Sequence, residues 1–168
     1  MYGSLEQNGD RWELRFTRHL AHPPEKVWRA LTEPEHLRAW FPADIEGERK
    51  QGAMLRFVFR EDEAPTIEGE MLRYDPPRLL ELRWADETLR FELVADGDGT
   101  MLTFVNRFDE LGKAARDAAG WHACLDALGS DLDGTAPSEK RWSEVHQWYV
   151  EHFGPDAAAI GPPEGMEP

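Results

Sequence analysis

One stretch narrows the folds open to this chain more than any other. Leu111 to Leu132, LGKAARDAAGWHACLDALGSDL, carries a helical pattern that arrives after a series of period-two runs. Leu111, Ala114, Ala115, Ala118, His122, Leu125, Leu128 and Leu132 recur at the three-and-four spacing of one helical face. The first half of that face is alanine; the second half adds Trp121, Cys124, Leu125 and Leu128. Such a helix can lie close to a surface at its slim end and stand off it at its bulky end.

The runs before it alternate. In Trp12 to Leu20, the residues Trp12, Leu14, Phe16, Arg18 and Leu20 share one face. His22-Pro23-Pro24 stops that strand, and Pro suits the first turn of a helix. Val27, Ala30 and Leu31, then Leu37, Trp40 and Phe41, predict two short helices kinked at Thr32-Glu33-Pro34. Period two resumes as a weak strand over Ile45 to Arg49, then Met54 to Arg60, Thr66 to Tyr74, Arg78 to Trp84, Thr88 to Ala95 and Met101 to Phe108. Gly69 marks a bulge or a close backbone approach. Asp96-Gly97-Asp98-Gly99 is a hairpin turn, because Asp and Gly supply the positive φ it needs. Short turns between strands predict an antiparallel meander, and its apolar face requires helical cover. The architecture is therefore α+β, with the long helix as the main cover.

Residues 1–11 read as a flexible lead-in, 12–154 as the domain and 155–168 as a disordered tail rich in Ala, Gly and Pro. An additional C-terminal helix is expected over 139–153, with Ser138 as its N-cap and Trp142, Val145, Tyr149 and Phe153 as a docking stripe. The chain has 168 residues and a formal charge of −14, from 19 Lys and Arg against 33 Asp and Glu. That sign disfavours phosphate backbones and anionic lipid surfaces, so neither nucleic acid nor a membrane is an expected partner. One cysteine, Cys124, and no basic-then-apolar leader point to the cytoplasm.

Three stretches taken together carry a resemblance: PPEKVWRALTEPEHLRAWF, the meander containing YDPPRLLELRW and LRFELVADGDGTMLTF, and AAGWHACLDAL. In order and spacing the chain resembles the activator of heat-shock protein 90 ATPase homologue family, of the START-like (SRPBCC) superfamily. The resemblance covers roughly Trp12 to Gly134. It implies a helix-grip fold, a bent antiparallel sheet wrapped around the long C-terminal helix. It also implies an apolar cavity between the two, where some superfamily members carry lipids or hormones and some cyclise polyketides. Only a short lead-in precedes Trp12, where the co-chaperone that names the family has a separate N-terminal domain.

The histidines at His19, His22, His36, His122, His146 and His152 lack helical metal spacing, and HExxH does not occur. No metal or cofactor is expected. Cys124 lies two residues from His122, on another helical face, which argues against a Cys-His pair, and GxSxG, GxGxxG and GxxxxGK loops are missing. No catalytic residue is assigned. The candidate site is a pocket lined by Trp40, Phe57, Phe59, Leu82, Trp84, Phe91, Leu93, Phe104, Asn106, Ala118 and His122. It exists only if the rings leave the space beneath the alanines empty, since close packing is the rule for interiors. Arg18, Asn106 and His122 break the apolar lining and need partners. No carboxylate is expected on the inner strand faces, which argues against acid–base work. The leading expectation is non-catalytic binding of a small apolar or amphipathic ligand. The alternatives are a chaperone-associated or self-associating protein-binding module, and a polyketide cyclase-like enzyme.

Overall fold

The computed structural model describes residues 1–60, 64–137 and 141–162. Among them, eight strands form one antiparallel sheet: β1 (Ser4–Asn8), β2 (Arg11–Leu20), β3 (Ala43–Glu46), β4 (Met54–Phe59), β5 (Ile67–Asp75), β6 (Leu79–Trp84), β7 (Glu87–Asp96) and β8 (Gly99–Phe108). Their order is β1-β2-β8-β7-β6-β5-β4-β3. Strands β3 to β8 follow as a meander. The chain then closes by setting β8 beside β2, with Phe16 opposite Phe104 and Leu14 opposite Asn106.

The proline breaks produce α1 (Pro24–Thr32) and α2 (Pro34–Trp40), each with Pro in its first turn. Helix α3 (Ala114–Asp133) follows a single 3-10 turn at Leu111–Lys113 and ends on Gly134, whose φ of 68° is the left-handed stop that glycine takes without strain. Helix α4 is Trp142–Phe153. The expected start at Glu139 and the Ser138 cap lie outside the described residues. The predicted face of α3 is buried as expected, with Ala114, Ala115, Ala118, Leu125 and Leu128 in the core. It packs on α1, α2, β2 and α4, so the curved sheet grips it.

Three expectations need correction. The frayed lead-in contains β1, which pairs with β2 from Ser4 opposite Arg15 to Asn8 opposite Arg11. Its sequence lacks apolar alternation because backbone pairing at a sheet edge holds it, not a buried face. The tail expected to be disordered begins with a 3-10 turn at Pro155–Ala158; Ala157 is buried, and the Ile160 N–H donates to the Gly112 carbonyl at 2.9 Å. The weak strand expected over Ile45 to Arg49 is Ala43–Glu46, ending at Gly47 with a φ of 137°. Gly69 is a close approach: a Cβ there would stand 2.0 Å from the Arg83 carbonyl oxygen and 2.6 Å from the Phe57 ring. The irregularity in β5 falls instead between Met71 and Arg73.

Candidate functional site: a tryptophan-walled cleft beside the gripped helix

Alternation places Phe57, Leu82, Phe91, Leu93 and Phe104 on the concave face, and all are buried. Their rings meet those of α2 and α3. Trp121 lies 5.1 Å from Phe104, and Phe91 4.8 Å from Phe104. Phe57 lies 4.8 Å from Trp84, and Trp40 5.9 Å from Phe91. Trp40 also donates its indole N–H to the Ala30 carbonyl at 2.8 Å. Phe59 packs edge-on to Trp84 at 5.7 Å, and Ala118 is fully buried. The space between sheet and helix is therefore occupied by aromatic rings in tilted and edge-to-face contact, the arrangements their quadrupoles favour.

Among the described residues several clefts open at the surface; Leu93 reaches one of about 640 Å³ beside Pro24 and Arg78, His122 one of about 210 Å³ beside Asp126 and Val145, and the most aromatic opens at the rim of that stack. A cleft of about 370 Å³ is lined by Pro42, Trp84, Glu87, Arg116, Asp117, Gly120, Trp121, Ala123, Cys124 and Trp142. Of the expected pocket residues, only Trp84 reaches it. The cleft arises because Asp117, Gly120, Trp121 and Cys124 form a second helical stripe on α3, with Gly120 leaving a gap in its middle: a Cβ there would meet nothing within 4 Å. Trp84 and Trp121 stand 6.0 Å apart at 70°, and Trp142 is held by stacking on His146 at 4.7 Å.

One end of the cleft is charged. Glu87 opens β7 with the same alternation as Leu89 and Phe91, so a carboxylate does sit at the inner edge of the sheet, contrary to expectation. The alternation extends one residue further toward the N-terminus than Thr88. Glu87 accepts from Asn106 Nδ2 at 3.0 Å and from Lys113 Nζ. Asn106, fully buried, thus has a structural partner. Asp117 accepts from Arg116 Nε at 3.1 Å, while its other oxygen stands 3.9 Å from Lys113 Nζ. Burial pushes the Asp117 carboxyl above its ordinary range, and the cations Arg116 and Lys113 only partly oppose it. Cys124 keeps a partly exposed rim, yet burial pushes its thiol up to about 12, with Arg60 a small opposing influence. At neutral pH it is a thiol and a poor nucleophile.

His122 and Arg18 do not line this cleft. They join a buried chain on the other side of α3. The Gly3 N–H donates to the Tyr149 hydroxyl oxygen at 2.8 Å, and that hydroxyl lies 2.9 Å from His122 Nδ1. On the other side of the ring, His122 Nε2 stands 3.4 Å from Asp126. Arg18 closes the chain by donating to Asp126 at 3.0 Å. Sequence spacing gives no sign of the Tyr149 partner, because it comes from a different helix. Of the predicted α4 stripe, Val145 and Tyr149 are buried and Phe153 packs 5.1 Å from Tyr149, while Trp142 lines the cleft.

Among the described residues no group of three His, Cys, Asp or Glu could hold a metal ion, and no helix is long and apolar enough to cross a membrane.

The architecture has solved counterparts. The crystal structure of CalU16 from Micromonospora echinospora aligns with a TM-score of 0.71 at 22% identity, covering 90% of this chain and 92% of that one. Protein EF2215 from Enterococcus faecalis aligns at 0.75, with 22% identity and 90% of each chain covered. The solution structure of BPP1335 from Bordetella parapertussis aligns at 0.67, with 27% identity and again 90% of each. No curated protein matches the chain. The family model described as Activator of Hsp90 ATPase homolog 1-like protein matches residues 21–133, from the turn before α1 to the last residue of α3. That span holds both proline-led helices, the meander and the helix it grips, and the chain accordingly belongs to this family.

Proposed function

We propose that the protein binds a small apolar or amphipathic molecule in the cleft beside α3 and performs no chemistry on it. The observation that carries this reading is the cleft itself: three indoles, Pro42 and Cys124 around about 370 Å³, with polar groups gathered at one end. That size and that mixture suit a small-molecule site. The site thus stands at the rim of the sheet–helix interface. The single cysteine, which can form no internal disulfide, supports a cytoplasmic setting.

A library of apolar and amphipathic compounds, screened by thermal shift, tests the reading. A binder raises Tm by an amount that grows with the logarithm of ligand concentration over Kd. Gly120→Leu should fill the cleft, keep the fold and abolish the shift; an unchanged shift places the ligand elsewhere.

One observation favours a second reading. A buried carboxyl with a raised pKa, facing a cleft, is the setting of a general acid or base, so Asp117 supports a cyclase-like enzyme. Turnover of a bound compound that stops in Asp117→Asn would establish it.

A further inference from the structure

The cleft has three indole walls but two carboxylates, and the carboxylates differ in what they still lack. Both oxygens of Glu87 are engaged, one by Asn106 and one by Lys113. Asp117 gives one oxygen to Arg116. Its second oxygen stands 3.9 Å from Lys113 Nζ, beyond hydrogen-bond reach. That oxygen is ion-paired with Lys113 but takes no hydrogen bond from a described residue, and with the side chain 20% exposed a ligand donor can reach it.

We infer that the cleft selects a cationic amphipath, a flat or compact apolar body carrying a protonated amine, with the amine on Asp117 and the body between Trp84, Trp121 and Trp142. This rests on the cleft being the binding site proposed above. Three further features favour the cation. Indole faces present negative potential to an ammonium group. The two cations at the polar end are already engaged, Arg116 by Asp117 and Lys113 by Glu87, which leaves acceptor positions rather than donors for a ligand. The chain as a whole carries −14, a field that draws cations toward it. A carboxylate on the ligand would meet Glu87 and Asp117 at the polar end, with Arg116 as its sole lining cation.

Three isosteric probes decide the matter: tryptamine, indole-propionate and ethylindole, titrated calorimetrically into the full-length protein at low salt. Tryptamine should bind about tenfold more tightly than ethylindole, with indole-propionate weakest. Asp117→Asn should erase the tryptamine advantage and leave ethylindole unchanged; Gly120→Leu should remove binding of all three. Equal affinity for the three probes, or preference for the anion, overturns the inference and leaves the cleft as a ligand site. An amine preference that survives in Asp117→Asn also overturns it. Failure of every probe to bind overturns the cleft reading and this inference with it.

Discussion

Asp117 and Asp126 are both aspartates of α3, and burial is the largest influence on each, pushing both carboxyls upward. They end in opposite places. At Asp126 the hydrogen bond and charge of His122, with Arg18 behind them, overcome burial and hold the carboxyl below its ordinary range. At Asp117 the opposing cations Arg116 and Lys113 are not enough, and the carboxyl stays high. The difference lies in burial and partners: Asp117 is the less exposed, 20% against 25%, so loss of solvent weighs more on it, while His122 and Arg18 both hold Asp126. On the Asp126 side, α4 and the N-terminal segment seal the chain from Gly3 through Tyr149 to His122, and Asp126 borders a second, smaller cleft. On the Asp117 side, the helix borders the tryptophan-walled cleft. One side of the helix holds the fold through a buried polar chain; the other sets a carboxylate with an open acceptor position beside aromatic walls. The two can be told apart by experiment.

The largest contrast concerns Cys124, at the cleft. A thiol pushed up to about 12 should carry about a thousandfold less thiolate at pH 8 than an ordinary cysteine. Alkylation by iodoacetamide, followed by mass spectrometry, should be correspondingly slow in the native protein and normal in urea. A native rate like that of a free cysteine would mean the cleft floor is wet, and the contrast between the two sides would weaken.

Next comes the sealed side. Tyr149 is fully buried, and its hydroxyl joins the N-terminus to α3. Tyr149→Ala should cost about 3–5 kcal/mol in urea denaturation, the range for deleting a buried aromatic side chain. Tyr149→Phe isolates the hydroxyl and should cost about 1–3 kcal/mol, since His122 Nδ1 and the Gly3 N–H lose their partner in a dry site. If the phenylalanine variant is neutral, the chain contributes packing and nothing polar.

The elements of the fold were legible for one reason: period two and period three-to-four are imposed by burial, and most of this sheet and α3 have one buried face. Where burial does not set the pattern, the sequence is silent. Strand β1 reads as polar because it is an edge. Trp121 reads as an anchor, and its size alone does not say that it fills the room the alanines leave. The cleft was harder still. Lys113, Asp117, Gly120 and Cys124 recur at helical spacing, a signal present in the chain, but it flanks the more apolar stripe and draws no attention beside it. The partners of Arg18, Asn106 and His122 come from other elements, and only the folded chain brings them together.

The aspartates themselves give effects of opposite sign. A carboxyl lowered in the folded state stabilises above the unfolded value of about 4, and that stability is lost as pH falls through the folded value. A raised one costs stability once pH exceeds its folded value, and the cost vanishes below the unfolded value. At pH 7, Asp126→Asn should therefore destabilise by about 1–2 kcal/mol, because His122 and Arg18 lose a charged partner. Asp117→Asn should leave stability unchanged or raise it by up to about 1 kcal/mol. As pH falls, the Asp117 effect should vanish below the unfolded value of about 4, and the Asp126 effect only below its own lowered folded value, so urea titrations into acid check both signs. Two variants that destabilise alike would show that Asp117 is as well satisfied as Asp126, and the open acceptor position in the cleft would be lost.

Gly120 gives the smallest effect and isolates the cleft from the fold. Glycine in a helix interior costs about 0.5–1 kcal/mol relative to alanine, through the backbone entropy it loses on folding. A residue kept against that cost in α3 would ordinarily be excused by a neighbour pressed against its Cα. Here a Cβ meets nothing within 4 Å, so no close packing explains it. Gly120→Ala should stabilise by about 0.5–1 kcal/mol, visible as a higher urea midpoint with unchanged slope. The same substitution narrows the cleft by one methyl group at the gap in the second stripe. Paired with ligand titration, it separates two accounts of the glycine. Higher stability with weaker ligand binding means that the residue keeps the cleft open. Higher stability with unchanged binding means that the gap is incidental and that Trp84, Trp121 and Trp142 alone define the site.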